Sequence, residues 1–236
     1  GSGLVGSEMC IRDRNDIEGI SENFFVAYEE MMNIILNCTG RSSMNYGSLD
    51  FADQPSAKKQ ALINSTLMSD YCAISGYGSY INKLMILDKN GNAIQSGSSP
   101  GSKDDVKQLL ETDWFWQEAE KSADEYRLKV VDNPFFQGKG EMLIPIVRPL
   151  DVAGSNSKEG WGFLGFSTKL FEKELKKADH GDTLVVAVED GTVIAAANEE
   201  KFQKKDLQEM TKNLLEAETS GGIEKKKLQG EACLLY

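Results

Sequence analysis

The sequence predicts an α+β fold in which one long N-terminal helix precedes two modules of related plan, each with an antiparallel sheet. Apolar residues recur in steps of three and four over residues 15–38, which is the pattern of an amphipathic helix. Two hairpin turns, Asn90-Gly91 and Asp190-Gly191, lie 100 residues apart, and a helical pattern follows each of them. We therefore expect two copies of one structural plan, the second of which is cut short at its C-terminal end.

The first predicted module follows the long helix, which Asn15 or Asp16 can cap and Gly40 can end. Pro55 suits the first turn of a second helix, because proline lacks an N–H that this position leaves unpaired. After the glycine- and serine-rich residues 75–79 the apolar period changes from that of a helix to that of strands. The predicted elements are helices over residues 15–38, 55–72 and 104–111, and strands over residues 83–88, 93–96, 128–132, 142–150 and 161–167.

A charged helical pattern at residues 169–178 separates the two predicted modules. The second module is predicted to contain strands over residues 184–189, 193–197, 223–228 and 232–236, and a helix over residues 205–218. The predicted organisation is a stalk helix at 15–40, a first module at 41–168, and an incomplete second module at 169–236 that begins with the charged helix.

Residues 1–14 are expected to be a tag or adapter-derived segment that is not part of the native sequence, and to pack against little. The first three residues, Gly1-Ser2-Gly3, are typical of a cloning remnant, and residues 9–14 resemble the translation of a sequencing adapter. The longest apolar stretches of the chain are far shorter than the roughly 20 residues that a membrane-spanning helix needs.

Composition argues against several functional classes. The 236-residue chain has 37 acidic and 26 basic residues and a formal charge of −11, so its surface should repel the phosphates of nucleic acids. His180 is the only histidine, which disfavours multi-histidine metal sites and most histidine acid–base chemistry. The chain also lacks a clustered histidine base for a catalytic serine, so an extracellular hydrolase is a weak alternative. We expect a chain that is not an enzyme and that has no metal, cofactor or nucleic-acid partner.

Three adjacent aromatic residues follow the third predicted helix and are the first candidates for a binding site. Neighbours on a helix point about 100° apart, so Trp114, Phe115 and Trp116 cannot all face the core. A partly exposed aromatic wall stacks on planar or sugar-like ligands. We therefore predict that Trp114 and Trp116 line a pocket, to which Tyr126 can add a hydroxyl group; plain core packing is the alternative.

Charged residues near this cluster are further candidates. Arg148 lies in an apolar strand and needs a partner, which is either a ligand carboxylate or a carboxylate of the fold, unless it faces solvent. Asp113 and Asp132 are candidates for a cationic or hydroxyl-bearing ligand. Helix capping is the alternative role for Asp113, and a turn at the end of a strand is the alternative for Asp132.

Four cysteines contain no C-x-x-C pair, so neither a zinc knot nor a redox motif is predicted. Cys38 and Cys72 have two open interpretations. They form a disulfide in an oxidising compartment, or they are two small buried apolar residues.

Four segments in order resemble the double Cache family of extracytoplasmic sensor domains. They are the strand and turn at residues 80–91, the aromatic segment at 112–119, the strand at 144–150 and the glycine-containing strand at 160–170. The order of these segments is most similar to YesM-type bacterial sensor histidine kinases, and the resemblance covers about residues 15–236.

The resemblance implies a long helix beside two stacked PAS-like modules, with 41–168 distal to the membrane and 169–236 proximal. It further implies the extracellular ectodomain of a membrane-anchored, homodimeric receptor of a two-component system. Such a domain binds a small solute in its distal module and relays a shift through the N-terminal helix. A chemotaxis receptor, or an adhesion module without a small ligand, are the alternatives.

One position departs from the family pattern. Members that bind amino acids have an arginine just before a tryptophan-tyrosine pair, and this arginine holds the ligand carboxylate. Asp113 occupies that neighbourhood here, and no arginine appears in either possible register. We therefore expect a neutral or cationic ligand, unless Arg148 turns inward to offset the charge.

Overall fold

The computed structural model describes residues 2–40, 55–96, 103–121, 129–135, 140–150, 160–177, 185–189, 192–197, 224–228 and 231–235. The chain divides into two compact units. The sheet unit consists of Ala27–Thr168, and the hairpin unit consists of Gly1–Val26 together with Lys169–Tyr236. The long first helix contributes residues to both units. No helix in the described part of the chain is long and apolar enough to cross a membrane.

Helix α1 (Ser2–Thr39) ends where the sequence predicts. Helix α2 (Pro55–Ile74) begins at the predicted residue, Pro55. The N–H of Gly40 donates to the carbonyl of Leu36 at 2.8 Å and ends α1. Helix α1 starts at Ser2 instead of at Asn15, so its backbone includes most of the segment that is predicted to be adapter-derived. The side chains of this segment lie outside the described set, and the expectation that they pack against little stays a prediction.

The sheet unit is built on one five-stranded antiparallel sheet, which confirms the predicted α+β class. Its strand order is β2-β1-β5-β4-β3, so the central strand is the last one in the sequence. The strands are β1 (Ile81–Asp88), β2 (Ala93–Gln95), β3 (Val131–Asp132), β4 (Met142–Pro149) and β5 (Gly160–Ser167). A 3₁₀ turn (Gly78–Tyr80) precedes β1, and helices α3 (Lys103–Leu110) and α4 (Asp113–Glu120) follow β2.

Successive residues of β5 point to opposite faces of the sheet, as the pleat requires. Gly162 lies on the face that packs against α1, which we call the helix face. A Cβ atom at Gly162 would collide with Thr39 and would lie 2.8 Å from Ile35 Cδ1, so glycine is what lets α1 approach the strand. Trp161 and Phe163 lie on the opposite face, which we call the aromatic face.

The aromatic face and helices α3 and α4 enclose one apolar core. Cross-strand pairing joins its members on neighbouring strands: Phe163 is opposite Met85 on one side and opposite Val147 on the other. The buried members of this core are Met85, Leu87, Ala93, Val106, Leu109, Phe115, Ala119, Val131, Phe135, Leu143, Val147, Trp161 and Phe163.

The first predicted hairpin is present, but its loop is longer than the two-residue turn at Asn90-Gly91. The N–H of Asp88 donates to the carbonyl of Asn92 at 3.0 Å, which leaves three loop residues between them. Gly91 adopts a φ of +83°, the left-handed conformation that glycine tolerates. The Asp88 carboxylate accepts hydrogen bonds from the N–H groups of Asn90 and Asn92 at 2.8 and 2.9 Å, and so holds the wider loop.

The hairpin unit contains α5 (Lys169–Lys177) and two separate pairs of antiparallel strands. The pairs are β6 (Val185–Glu189) with β7 (Thr192–Ala197), and β8 (Glu224–Leu228) with β9 (Glu231–Leu235). Glu189 is opposite Thr192, so the second hairpin has the predicted two-residue loop. The predicted helix over residues 205–218 lies outside the described residues.

Within the hairpin unit, α5 packs against the N-terminal part of α1. The ring centroids of Phe24 and Phe171 are 4.1 Å apart. The side-chain amide of Asn23 donates to the carboxylate of buried Glu174 at 2.9 Å, and Lys177 completes the environment of that carboxylate at 2.6 Å. Burial of the Glu174 charge is therefore offset by a hydrogen bond and an ion pair.

Candidate ligand-binding site

Helix α4 positions the aromatic cluster over the sheet. Thr112 precedes it in an extended conformation (φ −89°, ψ 131°), and the Thr112 hydroxyl donates to the carbonyl of Leu109 at 2.7 Å. Asp113 is exposed in the first turn of α4, where a carboxylate interacts favourably with the helix dipole. The short link between α3 and α4 therefore aims the residues after Asp113 at the aromatic face.

The three adjacent aromatic residues separate as helix geometry predicts. Phe115 is fully buried in the core, Trp114 is half-buried, and Trp116 remains 40% exposed. A tryptophan that keeps this much of its surface in solvent beside a packed core is the type of side chain that binds planar or apolar ligand surfaces.

Trp116 is exposed but held in one place. Its Nε1–H donates to the carbonyl of Leu110 at 3.0 Å. Its ring meets Trp161 edge-on at a centroid distance of 5.2 Å and an interplanar angle of 87°, and it meets Phe115 at 5.2 Å and 89°. A ring held by two edge contacts and a hydrogen bond loses little further freedom when a ligand binds to it.

Strand β5 completes the aromatic wall with Trp161 and Phe163, which are not among the site residues predicted from the sequence. The ring centroids of Trp114 and Phe163 are 6.2 Å apart, and those of Phe163 and Phe135 are 5.8 Å apart. The signal was present in the sequence, because Trp161 and Phe163 alternate with glycines and so share one face of a strand. We call Trp114, Trp116 and Trp161 the tryptophan wall.

Lys83 is a further residue near the site that was not predicted from the sequence. It lies on the aromatic face at a position opposite Gly165, and its ammonium group forms an ion pair with Asp105 of α3. The Lys83 Nζ atom is also 5.0 Å from the centroid of the Phe135 ring. The positive charge of Lys83 is therefore already balanced by a carboxylate of the fold.

Arg148 is not brought together with the tryptophans. It is opposite Gly162 in the pairing of β4 with β5, so it lies on the helix face, while its neighbour Val147 lies on the aromatic face. Arg148 is 6% exposed, and its guanidinium donates to Met32 Sδ and to the carbonyl of Val147, each at 3.3 Å. An inward turn of Arg148 toward the wall would require it to cross the sheet.

The remaining candidates are placed apart from the wall or are not described. Asp132 is exposed at the end of β3, and the alternation along this strand directs Val131, not Asp132, into the core. Tyr126 lies outside the described residues. No group of three His, Cys, Asp or Glu side chains suited to a metal ion occurs in the described part of the chain.

No family model matches this chain, and no curated protein does. Solved structures do match it over nearly its whole length. The ligand-binding domain of the Campylobacter jejuni chemoreceptor Tlp3 in complex with 4-methylisoleucine has a TM-score of 0.65 at 14% identity, and the match covers 98% of this chain and 86% of that one. The chain shares the fold of this sensory domain.

The same fold recurs in two further structures of Tlp3. The ligand-binding domain with L-valine and the sensory domain with isoleucine each match at 14% identity with a TM-score of 0.65. Both matches cover 99% of this chain and 88% of the other chain. The chain therefore shares the α+β fold of these domains.

Proposed function

We propose that this chain is the ligand-binding sensory domain of a bacterial transmembrane receptor, placed outside the cytoplasmic membrane. The observation that carries the proposal is the sensory-domain fold, which extends over 98% of the chain. The domain is not an enzyme and acts by binding. Chemotaxis is an output that fits at least as well as a histidine kinase, since the three neighbours named above belong to a chemoreceptor.

The ligand of this domain is a small solute that binds against the tryptophan wall of the sheet unit. The exposed and anchored ring of Trp116 supports this location. A neutral or cationic ligand is supported by the charges nearby: Asp113 is exposed beside the wall, Lys83 is already paired, and Arg148 lies on the other face of the sheet. A branched aliphatic amino acid is the second candidate, because the Tlp3 structures were solved with such ligands.

The arrangement of the parent receptor follows the plan of the double Cache family, a long helix beside two modules. Residues 41–168 form the membrane-distal Cache module, and residues 169–236 form the inter-module helix and the membrane-proximal module. The parent receptor is a membrane-anchored homodimer. Helix α1 is suited to relay a shift because it contributes residues to both units. A ligand changes the output only if it binds one conformation of the domain more tightly than the other.

A thermal-shift screen tests the proposal with panels of sugars, amines, nucleobases, organic acids and branched aliphatic amino acids. A ligand at 100 times its dissociation constant stabilises by roughly 2.7 kcal/mol, or about 5–10 °C for a unit of this size. A hit among neutral or cationic solutes supports the full proposal, whereas a hit with L-valine or isoleucine keeps the sensor and contradicts the charge argument. No shift in any panel favours the adhesion alternative.

Trp116→Ala locates the site once a ligand is found. It should weaken binding by roughly 0.5–1.5 kcal/mol from lost stacking, plus the lost apolar contact. Leu62→Ala is the matched control, because Leu62 is a similarly exposed apolar side chain (54%) on α2. Equal affinity of Trp116→Ala and Leu62→Ala would show that the ligand binds elsewhere.

A further inference from the structure

Helix α2 has two sides that differ in burial. On its inner side Ala61 and Met68 are buried, and the Ser65 hydroxyl donates to the carbonyl of Gln95 of the edge strand β2 at 2.7 Å. On its outer side four exposed residues recur at steps of four, three and four, which is the spacing of a coiled-coil contact. They are Lys59, Ile63, Thr66 and Asp70, and we call them the α2 seam.

The middle of the α2 seam can be covered by an apolar surface. Ile63 is 44% exposed, so its burial would remove apolar area from water. The Thr66 hydroxyl donates to the carbonyl of Leu62, one helical turn earlier, at 2.9 Å. Because this hydrogen bond lies within the helix, a partner that covers Thr66 need not supply another acceptor.

The two ends of the α2 seam carry opposite charges. Lys59 and Asp70 are eleven residues apart, which is about three helical turns, so they lie on the same side of α2. Among the described residues neither forms an ion pair within the chain. Ile63 and Thr66 lie between them, and both pairs of residues have their midpoint between positions 64 and 65. The seam is therefore complementary to itself when one copy is reversed.

We propose that the α2 seam binds the α2 seam of a second copy of this chain, with the two helices antiparallel. A two-fold axis at the midpoint, at right angles to α2, places Lys59 opposite Asp70 of the second copy and Ile63 opposite Thr66 of the second copy. Each of these contacts occurs twice. A parallel pair would instead place lysine against lysine and aspartate against aspartate, so charge selects the antiparallel arrangement.

The charge of the whole chain favours this surface over others for self-association. Two copies that each have a formal charge of −11 repel one another, so they associate only where opposite charges meet. The contact is short and its ion pairs are exposed, so we expect a weak dimer, with a dissociation constant of about 10 μM to 1 mM. The proposal depends neither on the ligand of the domain nor on the output of the receptor.

Sedimentation equilibrium of the full chain, with reductant present, measures this association. We expect a reversible equilibrium between monomer and dimer. Lys59→Glu should weaken it by about tenfold, because both ion pairs become repulsions. Lys58→Glu is the matched control: Lys58 is also exposed, but it points about 100° away from Lys59, so it makes the same change in charge outside the seam. It should associate nearly as well as the parent chain.

Reciprocal variants test the orientation of the two helices. Asp70→Lys should weaken the dimer as Lys59→Glu does, and the double variant should regain the parent association, because opposite charges again face one another. Circular dichroism checks that each variant is folded, as expected for exposed positions. A chain that stays monomeric up to about 1 mM, single variants that associate like the parent, or a double variant that stays weakened would each overturn the proposal.

Discussion

The two faces of the five-stranded sheet are covered in different ways. On the helix face a single long helix, α1, approaches so closely that Gly162 must lack a side chain. On the aromatic face two short helices, α3 and α4, cover the strands and leave Trp116 partly in solvent. Helix α1 packs closely on the central strand, whereas two eight-residue helices joined by a short link leave an aromatic side chain partly exposed on the other face.

This difference separates stability from binding. Residues on the helix face are expected to matter mainly for folding, since Gly162 and Arg148 are buried there against residues of α1. The tryptophan wall of the aromatic face is expected to matter mainly for binding. Folding of this unit can be followed alone, because all three tryptophans of the chain, Trp114, Trp116 and Trp161, belong to it. Their fluorescence therefore reports the sheet unit and not the hairpin unit.

The largest expected effect separates two neighbours within the aromatic face. Phe115→Ala should lower the free energy of unfolding by about 3–5 kcal/mol, since it removes a fully buried ring from the core. Trp116→Ala should cost only about 1–2 kcal/mol, since much of that ring is already in water. Urea unfolding followed by tryptophan fluorescence measures both. Equal losses would mean that Trp116 is a core residue and not a binding surface.

The closeness of α1 to the sheet is tested by adding one methyl group. Gly162→Ala should lower the free energy of unfolding by about 1–3 kcal/mol, because the new Cβ collides with Thr39 and Ile35. Gly19→Ala is the matched control: its Cβ would meet nothing within 4 Å, and alanine should stabilise the helix by about 0.5–1 kcal/mol. Circular dichroism during denaturation measures the stability of both variants. An unchanged free energy of unfolding in Gly162→Ala would contradict close packing of α1 on the sheet.

The strands were predictable from sequence, but the faces of their residues were not. Residues 142–150 and 161–167 were recognised because apolar runs bounded by turn residues are typical of buried strands. Whether Arg148 faces the tryptophans depends on its pairing with Gly162, and a shift of one residue would reverse it. That register is set by contacts between distant residues, which a local pattern does not contain.

The first hairpin shows a similar division between local and non-local information. Asn90-Gly91 predicted a turn, and a turn is present. Its length was set by the Asp88 carboxylate, which binds two N–H groups of the loop. The split of Phe115 from Trp116 was predictable from helix geometry alone, whereas the ion pair of Lys83 with Asp105 required knowledge of how α3 lies on β1.

The buried thiol of Cys38, on α1, should make the stability of the protein depend on pH. Up to about pH 9, the ordinary pKa, Cys38 is protonated in both the folded and unfolded chain, so it adds no pH dependence. Above that pH the unfolded chain releases the proton while the folded chain retains it to about pH 12, so stability falls as pH rises. By pH 10 we expect a loss of about 1–2 kcal/mol in urea unfolding.

Cys38→Ala is the control for this titration, because other groups also lose protons at high pH. The variant should lack the Cys38 part of the decline between pH 8 and pH 10. A reduced parent protein and a Cys38→Ala variant with identical declines would show that the thiol is not buried in the folded chain.

The smallest expected effect concerns Arg148, whose position most clearly separates the two faces. Among the described residues its guanidinium has only a thioether sulfur and a backbone carbonyl as partners, and a buried cation without a carboxylate is costly. Arg148→Met keeps an unbranched chain of similar length and removes the charge. We expect the free energy of unfolding to rise by about 1 kcal/mol, by fluorescence-detected urea unfolding.

Ligand binding gives the same substitution a second, independent outcome. Because Arg148 and Trp116 are on opposite sides of the sheet, Arg148→Met should leave the affinity for a ligand found in the screen unchanged by calorimetry, while Trp116→Ala weakens it. A tenfold loss of affinity in Arg148→Met, with folding intact, would place the guanidinium at the ligand and remove the distinction between the faces. A large loss of stability would instead mean that Arg148 holds a carboxylate of the fold, because breaking such a buried pair costs about 3–5 kcal/mol.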